Sequence, residues 1–271
     1  MTADASRRAY RLAYDGTDFR GFQRQPDVPT VSNTILDAVR ALGVADDLPP
    51  GYTAAGRTDA GVSAVAQTVA FDAPDWLTPA ALNAELPASV RAWAAADVSA
   101  NFHSTHDAAG REYSYYLHSP GADIGRARTA LDRLGGRHDF HNLTPDDSGT
   151  VRTLAGEVAA AGEFLVITVT AGGFPRHLVR RLVTVVERVA TGDDEPSLVD
   201  RVLRDEPRSG PAGIATAPPE PLVLSNVSYP AVDFSIDPDA AASACAVFRD
   251  RAASLAARSR VGWRIVNEIG D

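Results

Sequence analysis

RRAYRLAYDG, residues 7–16, alternates along its length, with Tyr10, Leu12 and Tyr14 on one face. That period of two predicts a half-buried strand, and Asp15-Gly16 closes it in a turn. The next stretch, TVSNTILDAVRALG (30–43), changes to helical spacing. Val31, Ile35, Ala38, Val39 and Leu42 share a face, and Gly43 marks the stop. Residues 63–71 predict a second strand. Thr78-Pro79 opens a short helix, with Thr as N-cap and Pro in the first turn. Residues 90–98 predict a third strand.

The rhythm then repeats. REYSYYLHS (111–119) reads as a strand, with Tyr113 and Tyr115 on one face and Tyr116 on the other. A helix through Ile124, Leu131 and Leu134 stops at Gly135. Residues 151–160 and 163–170 form a hairpin around Ala161-Gly162. Residues 175–190 form an amphipathic helix carrying Leu178, Leu182, Val185, Val186 and Val189. A short helix over 198–203, a strand over 221–229 and a final helix over 237–258 follow. The proline-rich APPEP (217–221) is a rigid turn. Each half therefore runs approximately strand, helix, strand or hairpin, helix, strand, the split βαβ order of ferredoxin-like or RRM-like units. The expectation is an α/β (α+β) fold. Two halves, 1–103 and 104–271, join in a central, mainly antiparallel mixed sheet, with helices on one side and a cleft between the halves.

The 271 residues are 45% hydrophobic and 23% charged, ordinary for a globular chain with a sizeable core. The charge is unusual in kind. There are 26 Asp against 9 Glu, all 26 basic residues are arginine, and the net charge is −9. GC-rich coding bias is one reading. Adaptation to a saline cytoplasm, where surplus carboxylates keep the surface hydrated, is the sharper one. An acidic chain is a poor general partner for nucleic acid, and salt weakens phosphate contacts further. An RNA site here must use a local arginine cluster, stacking and shape. The single cysteine, Cys245, excludes an internal disulfide framework and is expected to be a small buried residue. MTADASRRAY lacks an apolar signal core, and FLVITV is too short to span a bilayer; the expected location is cytoplasmic, with no membrane association.

The chemistry-bearing stretch is AAGRTDAGVSAVAQTVAF (54–71). Asp59 stands between Arg57 and Gly61, just ahead of a buried strand. Glycines permit a tight backbone path and close approach of a ligand, and an ionised carboxylate can act as a nucleophile. A solvated turn is the plain alternative. Three other segments supply complementary groups. YDGTDFRGFQRQP (14–26) interleaves Phe19 and Phe22 with Arg20 and Arg24, which suits stacking and phosphate contact. GREYSYYL offers Tyr113. GGFPRHLVRRL (172–182) places Arg176 and Arg180 four residues apart, on one predicted helical face. Together they provide what is needed to handle one nucleotide: a carboxylate, a planar stacker and guanidinium groups.

AGRTDAGVSAVAQTVAF resembles the catalytic segment of the tRNA pseudouridine synthase A family, which modifies the anticodon stem-loop. YDGTDFRGFQRQP, the helix TVSNTILDAV, the block from ALNAELP to GREYSYYL, GGFPRHLVRRLV and PLVLSNVSYP resemble further family segments, in family order, over most of the chain. The resemblance implies a uridine-to-pseudouridine isomerase acting at positions 38–40 of tRNA. It implies that Asp59 is catalytic, that Arg57 helps displace the target nucleotide, that Tyr113 stacks on the flipped base and that Arg180 pairs with the carboxylate. Phe22, Arg20, Arg24 and Arg176 are the further candidates for substrate contact. No cofactor or metal is implied, and bacterial members are homodimers. Ser63, Pro175, Arg176, Arg181 and Pro221 depart from the family pattern. Two rivals are a non-catalytic RNA-binding protein of the same fold, and a metal enzyme using His138, Asp139 and His141 of GRHDFHNL, a segment expected to be loop because of Gly135-Gly136.

Overall fold

A computed structural model describes residues 5–204 and 213–270. The first strand, β1 (Ala5–Tyr14), lies between β3 (Ser63–Pro74) and β4 (Val90–Asp97), antiparallel to both. Its Tyr10, Leu12 and Tyr14 are buried against α1 (Val31–Ala41), as their alternation predicts. Thr30 caps α1 by accepting from the Asn33 amide, and Thr78 caps α2 (Pro79–Asn83) in the same way. A two-residue strand, β2 (Thr53–Ala54), pairs with β3.

The second unit contains β5 (Gly110–His118), α3 (Ile124–Leu134), β6 (Gly136–Asp139), β7 (Val151–Ala161), β8 (Phe164–Ala171), α4 (Leu178–Thr191) and α5 (Ser197–Val202). β9 (Leu222–Ser228) comes near the end of the chain yet sits at the middle of the sheet. It runs parallel to β3 and antiparallel to β5. With β10 (Ser235–Ile236), the ten-stranded order is β10-β4-β1-β3-β9-β5-β8-β7-β6, with β2 beside β3. Among the described strands β3–β9 is the one parallel pair, so the sheet is mixed and mainly antiparallel.

Register fixes which residues share a face. Tyr14 pairs with Ala64, Ala64 with Leu224, and Leu224 with Tyr113, so the helix-covered face runs unbroken across the β3–β9–β5 junction. One core lies under α1 and α2; the other, built on Tyr115, Ile167 and Val169, lies under α3, α4 and α5. Tyr113 packs against both. The seam between the two cores is thus lined by a strand-borne aromatic ring.

Four local expectations change. The sixth helix, α6 (Pro238–Gly270), runs well past residue 258 and lies on the opposite face of the sheet, where Ala241, Ala244, Cys245 and Phe248 form a groove with Ala13, Val65 and Trp93. Cys245 is exposed, because only a narrow stripe of this alanine-rich helix touches the body. α4 begins at Leu178, so Arg176 precedes the helix and does not share a helical face with Arg180. GRHDFHNL is not loop: residues 136–139 pair with β7 and His141–Leu143 form a 3-10 turn.

Candidate active site

The loop at residues 56–62 is held by its neighbours rather than by regular structure. The Thr58 carbonyl accepts from the Phe22 amide at 3.0 Å, and the Thr58 hydroxyl meets the Tyr14 hydroxyl at 2.8 Å. Gln67 Nε2 donates to the Gly56 carbonyl at 3.0 Å. Gly61 has φ +81° and its amide donates to the Phe19 carbonyl. A Cβ on Gly16 would collide with the Val62 backbone, so the two glycine-rich loops need glycine where they cross. Ser63 Oγ, one of the departures noted above, accepts from the Gly16 amide at 3.1 Å.

Asp59 emerges from this clamp into a cavity of about 1000 Å³. Arg180 Nη1 donates to Asp59 Oδ2 at 3.3 Å, and Arg180 Nε donates to the Ala217 carbonyl at 2.6 Å. The Ala217 amide returns a bond to the Arg180 carbonyl at 3.2 Å, so both the backbone and the side chain of Arg180 are tied to Ala217. His177 Nε2 lies 3.7 Å from the same Asp59 Oδ2. Asp59 Oδ1 accepts no hydrogen bond among the described residues. The carboxylate side chain is 30% exposed against 14% for Arg180: the anion faces the cavity and its partner lies behind it.

Tyr113 forms the adjoining wall, its ring edge-on to Phe174 with centroids 5.3 Å apart. Burial, and then the nearby Asp59 charge, push its hydroxyl well above the ordinary tyrosine range, while Arg111 opposes them. Arg111 is buried without a carboxylate. Its nitrogens donate to the carbonyls of Ala55, Thr105 and Gly172, which belong to the Asp59 segment, the inter-unit connection and the approach to α4. One guanidinium thus joins three walls of the cavity.

The remaining candidates occupy different places. Arg57 is exposed on the cavity wall and makes no hydrogen bond or ion pair among the described residues. Arg24 lines the cavity and pairs loosely with Asp47 at 3.2 Å. Phe22 lines it too, but its ring is only 3% exposed and packs on Tyr14 as a support. Arg20 is exposed outside the lining. Arg176 is held at the rim by Asp146, whose carboxyl lies below the usual range; partial burial raises it, and the bonds from Arg176 outweigh that. His138, Asp139 and His141 do not converge on a shared point: His138 Nε2 meets the Gly135 carbonyl at 2.8 Å, and His141 Nδ1 lies 3.3 Å from Asp139. Among the described residues no group of three or more His, Cys, Asp or Glu side chains could hold a metal ion.

Residues 130–230 match the tRNA pseudouridine synthase family model. Over 258 residues the chain is 60% identical to the tRNA pseudouridine synthase A of Natronomonas pharaonis, covering 94% of this chain and 97% of that one. The enzyme of the same name from Haloarcula marismortui is 54% identical, with 97% and 100% covered.

This chain belongs to the tRNA pseudouridine synthase A family.

Members of the family are isomerases that modify tRNA. Both relatives come from halophilic archaea, which agrees with the lysine-free, aspartate-rich composition. A more distant synthase A, from Methanothrix thermoacetophila, is 38% identical and covers 84% of this chain and 85% of its own. Among solved structures, a chain of the archaeal box H/ACA sRNP Nop10-Cbf5 complex overlaps with a TM-score of 0.34 at 17% identity, over 67% of this chain and 43% of that one, too distant to bear on the site.

Sequence reasoning missed His177 and Arg111. His177 lies inside a quoted motif, but nothing in a single sequence marks it as left-handed, since φ +61° is a conformation expected of glycine. Arg111 sits one residue from the tyrosine pair and looks like any strand arginine. Of the remaining departures, Pro221 accepts from the Tyr116 amide at 3.1 Å. Arg181 is 7% exposed, and its Nε and Nη1 have no hydrogen-bond partner among the described residues. No described helix is long and apolar enough to cross a membrane.

Proposed function

We propose that this synthase converts uridine to pseudouridine at positions 38–40 of the tRNA anticodon stem-loop, with Asp59 as the catalytic group. The observation that carries this reading is a carboxylate with one oxygen bonded to Arg180 and the other open to a cavity walled by Tyr113. The reaction breaks N1–C1′ and makes C5–C1′, so the detached base must be retained while it turns. The target nucleotide first leaves its stack, at a cost of a few kcal/mol. Tyr113 offers a ring for it, worth about 1–3 kcal/mol per stacked base. Arg57, exposed and without an ion pair among the described residues, fills the vacated position in the RNA. Asp59 then attacks C1′ or C6, or initiates elimination to a glycal; each route needs an unblocked carboxylate oxygen.

The cavity lining supports an anionic substrate. Arg24, Arg57, Arg111, Arg152, Arg176 and Arg180 all line it, against Asp59 and Asp146, although the whole chain is acidic. Residues 1–103 and 104–271 form the two lobes of this cytoplasmic enzyme. The enzyme acts as a homodimer. Val261, Ile265 and Ile269 recur at helical spacing on the exposed half of α6, on the side away from Trp263, whose ring meets His118 of the body. A second copy covers that stripe. Light scattering in molar potassium chloride gives twice the chain mass for the native protein and the single mass for Ile265→Glu.

Tritium release from C5-labelled uridine in tRNA tests the chemistry. Asp59→Asn abolishes release while tRNA binding survives; native turnover in that variant refutes the reading. Binding without release by the native chain establishes the alternative, a non-catalytic RNA-binding protein. Mapping of pseudouridine in the product locates the modified positions.

A further inference from the structure

We infer that His177 is a positioning residue that fixes Asp59 jointly with Arg180, and that the backbone is kept in an unfavourable conformation for this purpose. The inference rests on the reading of Asp59 given above. The Leu178 amide donates to the Pro175 carbonyl at 3.2 Å, which closes a four-residue turn. His177 occupies its third position with φ +61° and ψ 1°. Those angles belong to the third position of a type II turn, where glycine or asparagine is the ordinary choice. A residue with a side chain carries backbone strain at such angles that glycine would avoid. A chain needing only the turn would place glycine here, and two glycines, Gly172 and Gly173, stand nearby.

The geometry gives the ring its task. The left-handed turn places Nε2 3.7 Å from Asp59 Oδ2, the oxygen already bonded by Arg180 Nη1 at 3.3 Å. Two nitrogen-bearing side chains from one segment therefore lie against one carboxylate oxygen. That restrains rotation of the carboxylate and keeps Oδ1 aimed into the cavity. The distance is ion-pair range rather than a formed hydrogen bond, and catalytic contacts of this kind shorten when substrate closes the site. His177 lines the same cavity and its side chain is 37% exposed, so closure by RNA is available to it.

Three substitutions separate the ring from the turn. Glycine and asparagine both accept a positive φ, but neither reaches the Nε2 position; glutamine reaches it and remains strained. Steady-state kinetics on tRNA and thermal melting in potassium chloride are measured for His177→Gly, His177→Asn and His177→Gln. The expected result is an equal or higher melting temperature for Gly and Asn, with kcat lowered about ten- to a hundredfold, in line with the penalty for misplacing a reacting group, and KM within about twofold of native. Gln recovers most of kcat although it melts lower. Native kcat in the glycine variant overturns the inference, and so does an equal loss in all three. Turnover by Asp59→Asn would instead remove the reading on which it rests, so the two failures are distinguishable.

Discussion

The cavity has a floor and a rim, and they are built on opposite principles. At the floor, Arg111 is buried and Arg180 largely covered, and both bond mainly to backbone carbonyls, at 2.5–3.3 Å. At the rim, Arg24, Arg57 and Arg176 are exposed and are free or paired with exposed or half-exposed carboxylates. Salt screens exposed charges over about 8 Å at physiological ionic strength and over about 3 Å at 1 M. Bonds to buried carbonyls are far less affected. Under the proposed function, a molecule with an acidic, lysine-free surface thus keeps its chemistry on contacts that brine does not weaken, and leaves the weakened ones to RNA capture.

The sharpest challenge to this contrast is Arg180→Ala, for which we expect kcat to fall at least about 100-fold, as when a preorganised donor is removed from a reacting charge. Tritium release measures it; a loss confined to KM would move Arg180 to the rim class. Arg111→Met comes next. It leaves the carbonyls of Ala55, Thr105 and Gly172 without their donor. At roughly 1–3 kcal/mol for a buried unsatisfied group, denaturant unfolding should show a loss of about 2 kcal/mol or more. A smaller loss would mean that water replaces the guanidinium easily and the floor is not stiff. Arg57→Ala probes the rim. Binding to tRNA weakens modestly, and the slope of log K against log salt falls by about 1. The mildest change is Arg181→Met. Burial pulls that guanidinium below its usual pKa range, and Nε and Nη1 have no hydrogen-bond partner among the described residues. Replacing such a cation with an apolar side chain is neutral or stabilising, so the melting temperature holds or rises by a few degrees, with tRNA turnover intact.

Local periodicity carried much of the fold. The alternation of Tyr10, Leu12 and Tyr14 and the spacing of Leu178, Leu182 and Val186 are one-dimensional traces of burial, and each placed its element on the correct face. Long-range pairing leaves no such trace. Nothing in LVLSNVS says that it lies between strands begun more than a hundred residues earlier. The Asp59 loop by itself reads equally as a plain solvated turn; what singled it out was the company of Phe22, Arg24, Tyr113 and Arg180 and the resemblance of its segment to a known family. Its partner His177 was not legible, because a side chain's reach depends on a backbone angle that residue type did not suggest. Arg176 was misplaced for the same reason: taking Pro175 as a helix start hid the turn that separates it from Arg180. The exposed end of α6 was unread because apolar residues there follow helical spacing without a body to cover them.

The late position of β9 has a consequence for synthesis. The strand that joins β3 to β5 leaves the ribosome more than a hundred residues after β5 begins. Ala217, which tethers Arg180, emerges just before it. Until then the two lobes have no shared sheet, and distant pairings of this kind form slowly. A nascent chain that stops short of β9 therefore carries its Asp59 loop without the Ala217 tether of Arg180 or the shared sheet, and under the proposed function it gains its competence in one late step, once residues 217–228 have been added.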